Sequence, residues 1–418
     1  MSDDNRLARV QILFQQSKFA EAEKALKDML AGDPYNTHFL ALLAEVKLKL
    51  NHVDEAEQII DNAIGLAPEN GDLFYIRSRI NIQKDNYNEA EKNIAQAIAI
   101  DPHDAHYFAL SANIKLARKK YNEALELADR SLELDPENLL ALNTRSTVLN
   151  KLNRSQESFA TIEGALRNDP NNAYTHANYG WGLLEKGDHK KAKEHFKEAL
   201  KNSPNNAYAQ SGMLQAIKAS NPVYRMFLKY AFWMGNLTAK YQWAVLIGFY
   251  LGFRALRTLA NTNPALQPYL TPLIFALAIF AFSTWIITPV SNLFLRFNKY
   301  GQLLLSKKEK MSSNFVALSL LIFLSGVGLY FALSDERYLV VAVFGFAMMV
   351  PFSVMFSPSK YKNVLLWYTI AMAVIGLAGI AFAFLNDQRF EIVSSIFIIG
   401  FIAFQWGVNF LLIREDNR

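Results

Sequence analysis

Tyr121–Asn138 reads YNEALELADRSLELDPEN, and the first half of the chain becomes intelligible once this stretch is laid over its neighbours. An aromatic opens it, Ala124 follows three residues later, and Leu125, Leu127, Ala128, Leu132 and Leu134 recur at close to helical spacing. Asp135-Pro136 ends the run, because proline has no N–H to donate and disfavours helical geometry in the residue before it. Moving outward, Pro34, Pro68, Pro102, Pro136, Pro170 and Pro204 stand 34 residues apart. A period of that length predicts paired helices, each pair ended by a proline.

Residue types repeat within the period. Ala44, Ser78, Ala112, Ser146 and Gly180 form a series of small residues on the first helix of each pair. The second helix opens on Phe19, Val53, Tyr87 or Tyr121, with Ala22, Ala56, Ala90 or Ala124 three residues on. A further small residue follows at Ala63, Ala97, Ser131, Ala165 and Ala199. Small residues let the two helices of a pair approach closely, while Leu26, Ile60, Ile94, Ile162 and Phe196 fill the seam to the neighbour.

The pattern over residues 3–220 resembles the tetratricopeptide repeat in period, small residues and terminal proline. The match is tightest in repeats two to four. It departs at Val10 in the first repeat, as expected of a cap, and at Ser155 and Ser158 in the fifth. The resemblance implies an all-α fold, a right-handed helical solenoid of about six repeats closed by a lone helix over Ala207–Ala219. It also implies a concave groove for an extended peptide or partner helix. One face of each first helix would line that groove, offering Tyr75, Arg79, Asn113, Asn143, Thr147, Asn150, Tyr174 and Trp181. Asn143, Thr147 and Asn150 are spaced four and three apart and share a helix face. Asparagine amides can pair with both the N–H and the C=O of a peptide. The Lys/Asn/Arg clamp with which some family members hold a C-terminal carboxylate is not reproduced, since the corresponding positions are mostly apolar or neutral.

Composition narrows the function. Residues 1–220 carry 27 Lys+Arg against 31 Asp+Glu, too acidic a balance for a nucleic-acid surface. The remaining residues carry 16 against 7, a basic excess beside apolar runs. There is no cysteine, so disulfides and thiolate chemistry are excluded. His38, His52, His103, His106, His176, His189 and His195 all lie in the first half without carboxylates at a zinc-hydrolase spacing, and read as surface residues near helix starts. Neither a glycine-rich phosphate loop nor a catalytic triad appears. No catalytic residue, metal site or cofactor is expected.

After Asn221-Pro222 the chain changes character. Residues 221–241 mix Arg225, Lys229 and Lys240 with Tyr224, Phe227, Phe232 and Trp233, and read as an amphipathic helix at the headgroup level. A transmembrane domain over 242–418 follows, with six apolar runs at about 242–259, 269–290, 314–333, 338–356, 364–385 and 392–413. Arg296, Lys299, Lys307, Lys308, Lys310, Lys360 and Lys362 occupy alternate connections. The opposite connections, 261–268, 334–337 and 386–391, hold two arginines among four acids. The positive-inside rule therefore places the N-terminus, the repeats and the C-terminus in the cytoplasm of a bacterial-type inner membrane. The N-terminal MSDDNRLARV lacks the apolar region of a cleavable signal, in agreement.

Arg254 and Arg257 fall late in the first span, Arg254 roughly 8 Å from its end at 1.5 Å per residue. Snorkelling accounts for them; a cation turned into the bundle towards an anion or lipid headgroup is the functional alternative. Gln405 and Asn409 share a face of the last span, and Ser283, Thr284 and Thr288 cluster in the second. These are expected to hydrogen-bond between helices, with Gly326, Gly328, Gly376 and Gly379 at close-packing points. The expected function is a non-catalytic adaptor or scaffold, holding a protein or peptide partner in the groove at a lipid surface. A six-helix transporter or lipid-handling protein regulated by its repeats is the rival.

Overall fold

The computed structural model describes residues 3–296, 305–356, 363–386 and 392–416. Among them the fold is all-α. Helices α1 (Asp3–Gln15), α2 (Phe19–Leu30), α3 (Thr37–Lys49), α4 (Val53–Leu66), α5 (Gly71–Gln83) and α6 (Tyr87–Ile100) come first. Then follow α7 (Ala105–Ala117), α8 (Tyr121–Leu134), α9 (Leu139–Lys151), α10 (Ser155–Asn168), α11 (Ala173–Lys186), α12 (His189–Asn202) and α13 (Ala207–Lys218). Each first helix opens on an asparagine or aspartate at the same place in the period: Asn36, Asn70, Asp104, Asn138, Asn172 and Asn206. Their side-chain oxygens accept backbone N–H groups of the first turn, at 2.7 Å from His106 and 2.9 Å from Thr175.

The turn inside each pair is equally regular. Ser17, Asn51, Asp85, Lys119, Asn153 and Gly187 all have positive φ, between 56° and 90°, and stand 34 residues apart. The N–H that follows each of them reaches back five residues, as from His52 to the Lys47 carbonyl at 2.9 Å. This Schellman closure satisfies carbonyls that a helix end leaves without partners.

The chain divides into two compact units, Met1–Tyr179 and Gly180–Asn417. In the first, Ala44, Ala56, Ala90, Ala112, Ala124 and Ala165 have no accessible surface. Where serine replaces alanine its hydroxyl is used, Ser78 donating to the Ala90 carbonyl at 2.9 Å and Ser131 to that of Ala105 at 2.7 Å. Lys47, nearly buried, bridges Glu23 (2.7 Å) and Glu55 (2.6 Å). Burial works against its charge, but the two carboxylates outweigh it and hold its pKa above the ordinary lysine value.

The second unit begins with a size exchange. Phe196 is fully buried where most other repeats carry leucine or isoleucine. A Cβ at Gly180 would lie 2.8 Å from its ring, and one at Gly212 only 2.2 Å. The large ring fits because both facing positions have no side chain.

Helix α14 (Pro222–Asn236) follows, N-capped by Asn221, whose oxygen accepts from Val223 at 2.9 Å and Tyr224 at 3.3 Å. It buries Tyr224 and Leu228 and exposes Val223, Met226 and Trp233. A break at Leu237-Thr238 separates it from α15 (Ala239–Thr262). Next come α16 (Gln267–Leu295), α17 (Lys307–Leu333), α18 (Arg337–Val354), α19 (Val364–Asn386) and α20 (Ile392–Asp416). The six helices α15 to α20 are each long and apolar enough to cross a membrane. Their outer faces are apolar, with Phe275, Ile279, Phe331 and Leu385 largely exposed. Of the loop charges used for orientation, Lys299, Lys360, Lys362, Asp387, Arg389 and Glu391 lie outside the described residues.

Helices α17 and α18 form the tightest hairpin. A Cβ at Gly326 would sit 2.6 Å from the Ala342 nitrogen, and one at Gly345 would sit 2.4 Å from that of Phe323. Ser319 donates to the Gly345 carbonyl at 2.8 Å, and Ser312 to that of Phe352 at 2.7 Å. Gly376 faces the Phe344 ring. Three expectations change here. Gly328 faces open space, and Gly379 makes ordinary contacts only. Ser283 and Thr284 donate to Phe280 and Ala281 of their own helix, because a hydroxyl three residues along reaches the preceding turn more easily than a neighbouring helix.

Replacing Gly212 by alanine should cost about 1–3 kcal/mol of stability through overpacking against Phe196. Adding Phe196→Ile should recover much of that loss. In a double-mutant cycle followed by chemical unfolding in detergent, strictly additive effects would show that ring and glycine do not share one slot.

Candidate functional site

In the first unit, three successive repeats contribute to one polar and aromatic strip. Arg79 of α5 pairs with Glu45 of α3 and lies over the Tyr75 ring, its guanidinium carbon 5.6 Å from the ring centre. Tyr75 meets Tyr107 of α7, with ring centres 5.6 Å apart, and the Tyr107 hydroxyl donates to Asp72 at 2.8 Å. Tyr107 fits because residue 71 is glycine: a Cβ there would lie 2.9 Å from its hydroxyl oxygen. Burial, then the Asp72 hydrogen bond, raises the Tyr107 pKa far above the usual phenol range, and burial raises that of Tyr75 against the pull of Arg79. Both hydroxyls stay protonated at neutral pH. The strip offers one guanidinium, two carboxylates and the partly accessible Tyr75 ring, with the buried Tyr107 behind it. That combination suits a peptide with mixed charge.

The other expected groove residues separate into two kinds. Asn113, Thr147 and Trp181 are partly accessible, and Tyr174 is exposed. Asn143 and Asn150 are buried. The Asn143 amide donates to the Leu139 carbonyl (2.8 Å) and to the Thr175 hydroxyl (2.9 Å), and its oxygen accepts from Asn178 at 3.1 Å. Asn143 therefore ties α9 to α11 instead of presenting a free amide. Thr147 donates to the Asn143 carbonyl of its own helix at 2.9 Å.

Glu45 could have been found, since it shares its repeat position with Arg79, Asn113, Thr147 and Trp181. Tyr107 and Asp72 carried no such signal, because their pairing joins different repeat positions. In the second unit, Trp181 stacks on Tyr208 with ring centres 5.6 Å apart, and meets Phe196 and Phe232 edge-on. Its indole N–H points to the Tyr208 carbonyl at 3.3 Å.

The membrane-length helices place their candidates differently from the functional expectation. Arg254 and Arg257 are exposed on α15, the side a snorkelling cation takes, and not turned into the bundle. Gln405 and Asn409 are partly accessible on α20. Among the described residues no group of three or more His, Asp or Glu is arranged to hold a metal ion.

If Asn143 is a tie, Asn143→Ala should cost about 1–3 kcal/mol, because Thr175 and Asn178 lose a buried partner. Thermal unfolding checks this. A variant as stable as wild type would return Asn143 to the accessible face.

Residues 13–70, 71–104, 110–173 and 173–206 each match a family model described as tetratricopeptide repeat. Among solved structures, the chain is similar to a tetratricopeptide repeat protein from Parabacteroides merdae, with 19% identity over 50% of this chain and 81% of that one (TM-score 0.44). It is also similar to pilF of Pseudomonas aeruginosa, at 18% identity over 50% and 96% (TM-score 0.39). YrrB, described as having an unusual peptide-binding site, is 18% identical over 45% and 97% (TM-score 0.32). No curated protein matches the chain. The period of the prolines, the asparagine caps and the left-handed turns lead to the same place as these matches: residues 13–206 are tetratricopeptide repeats.

Proposed function

We propose that the chain is a membrane-anchored, non-catalytic adaptor that holds a protein or peptide partner at the cytoplasmic face of a bacterial-type inner membrane. The observation that carries this reading is the outward apolar surface of six membrane-length helices in the same chain as a repeat array with an accessible Glu45–Arg79–Tyr75 strip. Exposed aliphatic and aromatic side chains on that scale are stable against lipid and not against water. Tetratricopeptide repeats generally serve as non-catalytic binding scaffolds. Arg79, Tyr75, Asn113, Thr147 and Tyr174 are the proposed contacts, with Asn143 supporting them from below. The rival transport reading had Arg254 as its pointed residue, and that side chain is exposed on α15.

Orientation is directly testable because the chain contains no cysteine. Ala265→Cys, between α15 and α16, should react with a membrane-impermeant maleimide in intact cells. Lys201→Cys, in the last repeat, should react only after permeabilisation. The opposite pattern overturns the topology. For the groove, Arg79→Ala combined with Asn113→Ala should reduce partner recovery at least about tenfold, the scale of losing one charged hot-spot contact, at unchanged folded yield. Equal recovery by both proteins would remove this face from the binding surface.

A further inference from the structure

At the C-terminal end of α16, within the second unit, helices α12 and α13 and the α13–α14 turn line an open pocket of about 450 Å³. Lys193, Lys218, Ser220, Asn221 and Ser291 supply its polar lining, and Phe294 part of its apolar wall. Lys218 is 3% exposed, and its ammonium nitrogen is buried with no hydrogen-bond partner. It lies over the Tyr224 ring, whose centre is 5.7 Å away. Glu309 acts on it only at a distance, because that carboxylate accepts the Ser306 N–H at 2.9 Å in the cap of α17.

An unpaired buried cation is among the most costly features a fold can retain. Buried polar groups are normally satisfied, so an orphaned ammonium on a residue that lines a polar pocket calls for a missing partner. Two lysines and two hydroxyls can all donate, which selects an anion with several acceptor oxygens. The volume is larger than a simple halide requires. Phe294 is 68% exposed and runs from the cavity onto the outward face of α16, giving an apolar path for a chain attached to the anion.

We propose that this cavity binds a phosphate-bearing anion, either the headgroup of an anionic phospholipid or free phosphate, with Lys218 and Lys193 as its cationic contacts. Burial pushes the Lys218 ammonium down to about 8, so it remains mostly charged at neutral pH and able to hold an anion. The membrane reading enters only in deciding where the phosphate comes from.

The full chain in detergent is examined by native mass spectrometry with dioleoyl phosphatidylglycerol and dioleoyl phosphatidylcholine, and by thermal shift with each lipid and with inorganic phosphate. One phosphatidylglycerol should survive conditions that strip phosphatidylcholine. Lys218→Met should retain it about tenfold less, the scale of one charge-assisted hydrogen bond. The same variant should melt no lower than wild type without lipid, since it removes a buried unpaired charge, and should lose the lipid-dependent rise. Lys193→Ala, at the partly accessible wall, should weaken retention in the same direction without risk to the core. Protection by millimolar phosphate equal to that by lipid supports the site and assigns free phosphate as its source. Equal phosphatidylglycerol retention by wild type and both variants overturns the proposal, as does the absence of any preference for either phosphate source. A chain that purifies without detergent would defeat the membrane reading, while the phosphate arm would still decide the site.

Discussion

Close approach of paired helices is the constraint on which the structure depends. Helices of 12 to 14 residues, the range from α2 to α13, are marginal in isolation and persist only by burying an apolar stripe against a partner. The approach is set by Ala44, Ala112, Ala56, Ala90 and Ala124, all without accessible surface. Where the contact carries a hydroxyl, as at Ser78 or Ser146, it donates a hydrogen bond to a carbonyl of the partner helix. A larger side chain at any of these points would open the pair and weaken its contact with the next.

The same rule governs the second unit, with different residue choices. Phe196 replaces an aliphatic side chain, and Gly180 and Gly212 restore the lost space. In the α17–α18 hairpin, Gly326 and Gly345 bring backbone against backbone, with Ser319 and Ser312 bonded across to carbonyls. Water-driven burial supports helix association in a soluble repeat. Close packing and interhelical hydrogen bonds support it where the surroundings are as apolar as the side chains. Small residues at crossings serve both regimes, which lets one chain use one packing device throughout.

Features that recur with the period were legible in the sequence. The prolines, the small-residue series and the six apolar runs each correspond to an element, since regular spacing reports a repeated local cause. The asparagine caps at Asn36, Asn70, Asn138, Asn172 and Asn206 had the same regularity and were available to the same reading. The left-handed turns were harder, because Ser17, Asn51, Asp85, Lys119 and Asn153 share a conformation without sharing a residue type. Side-chain direction was not legible. Asn143 and Thr147 lie on one helix face, yet the amide turns towards Asn178 and Thr175 and the hydroxyl back to its own helix. Arg254 sits where a cation could face in or out, and only the packing of α15 decides it. Spacing fixes which face a residue occupies, while partners brought from elsewhere fix what its polar atoms do.

That distinction also explains why Lys218 escaped notice. On α13 it reads as an ordinary lysine in the last turn of a helix, where a cation complements the dipole. Its surroundings come from later elements: Tyr224 of the next helix, α14, and, far along the chain, Leu295 and Leu305, which meet Leu214 and Ile217. The other well-buried cation of the repeats is fully paired. Lys47 has two carboxylates, and the partly exposed Arg79 has one and a ring. A fold that pairs its buried cation at Lys47 so fully has no structural need of an unpaired one at Lys218. Departures from local consistency concentrate where a sequence is shaped by something other than its own stability. At the end of α16, beside the last repeat helices, such a departure and a pocket coincide.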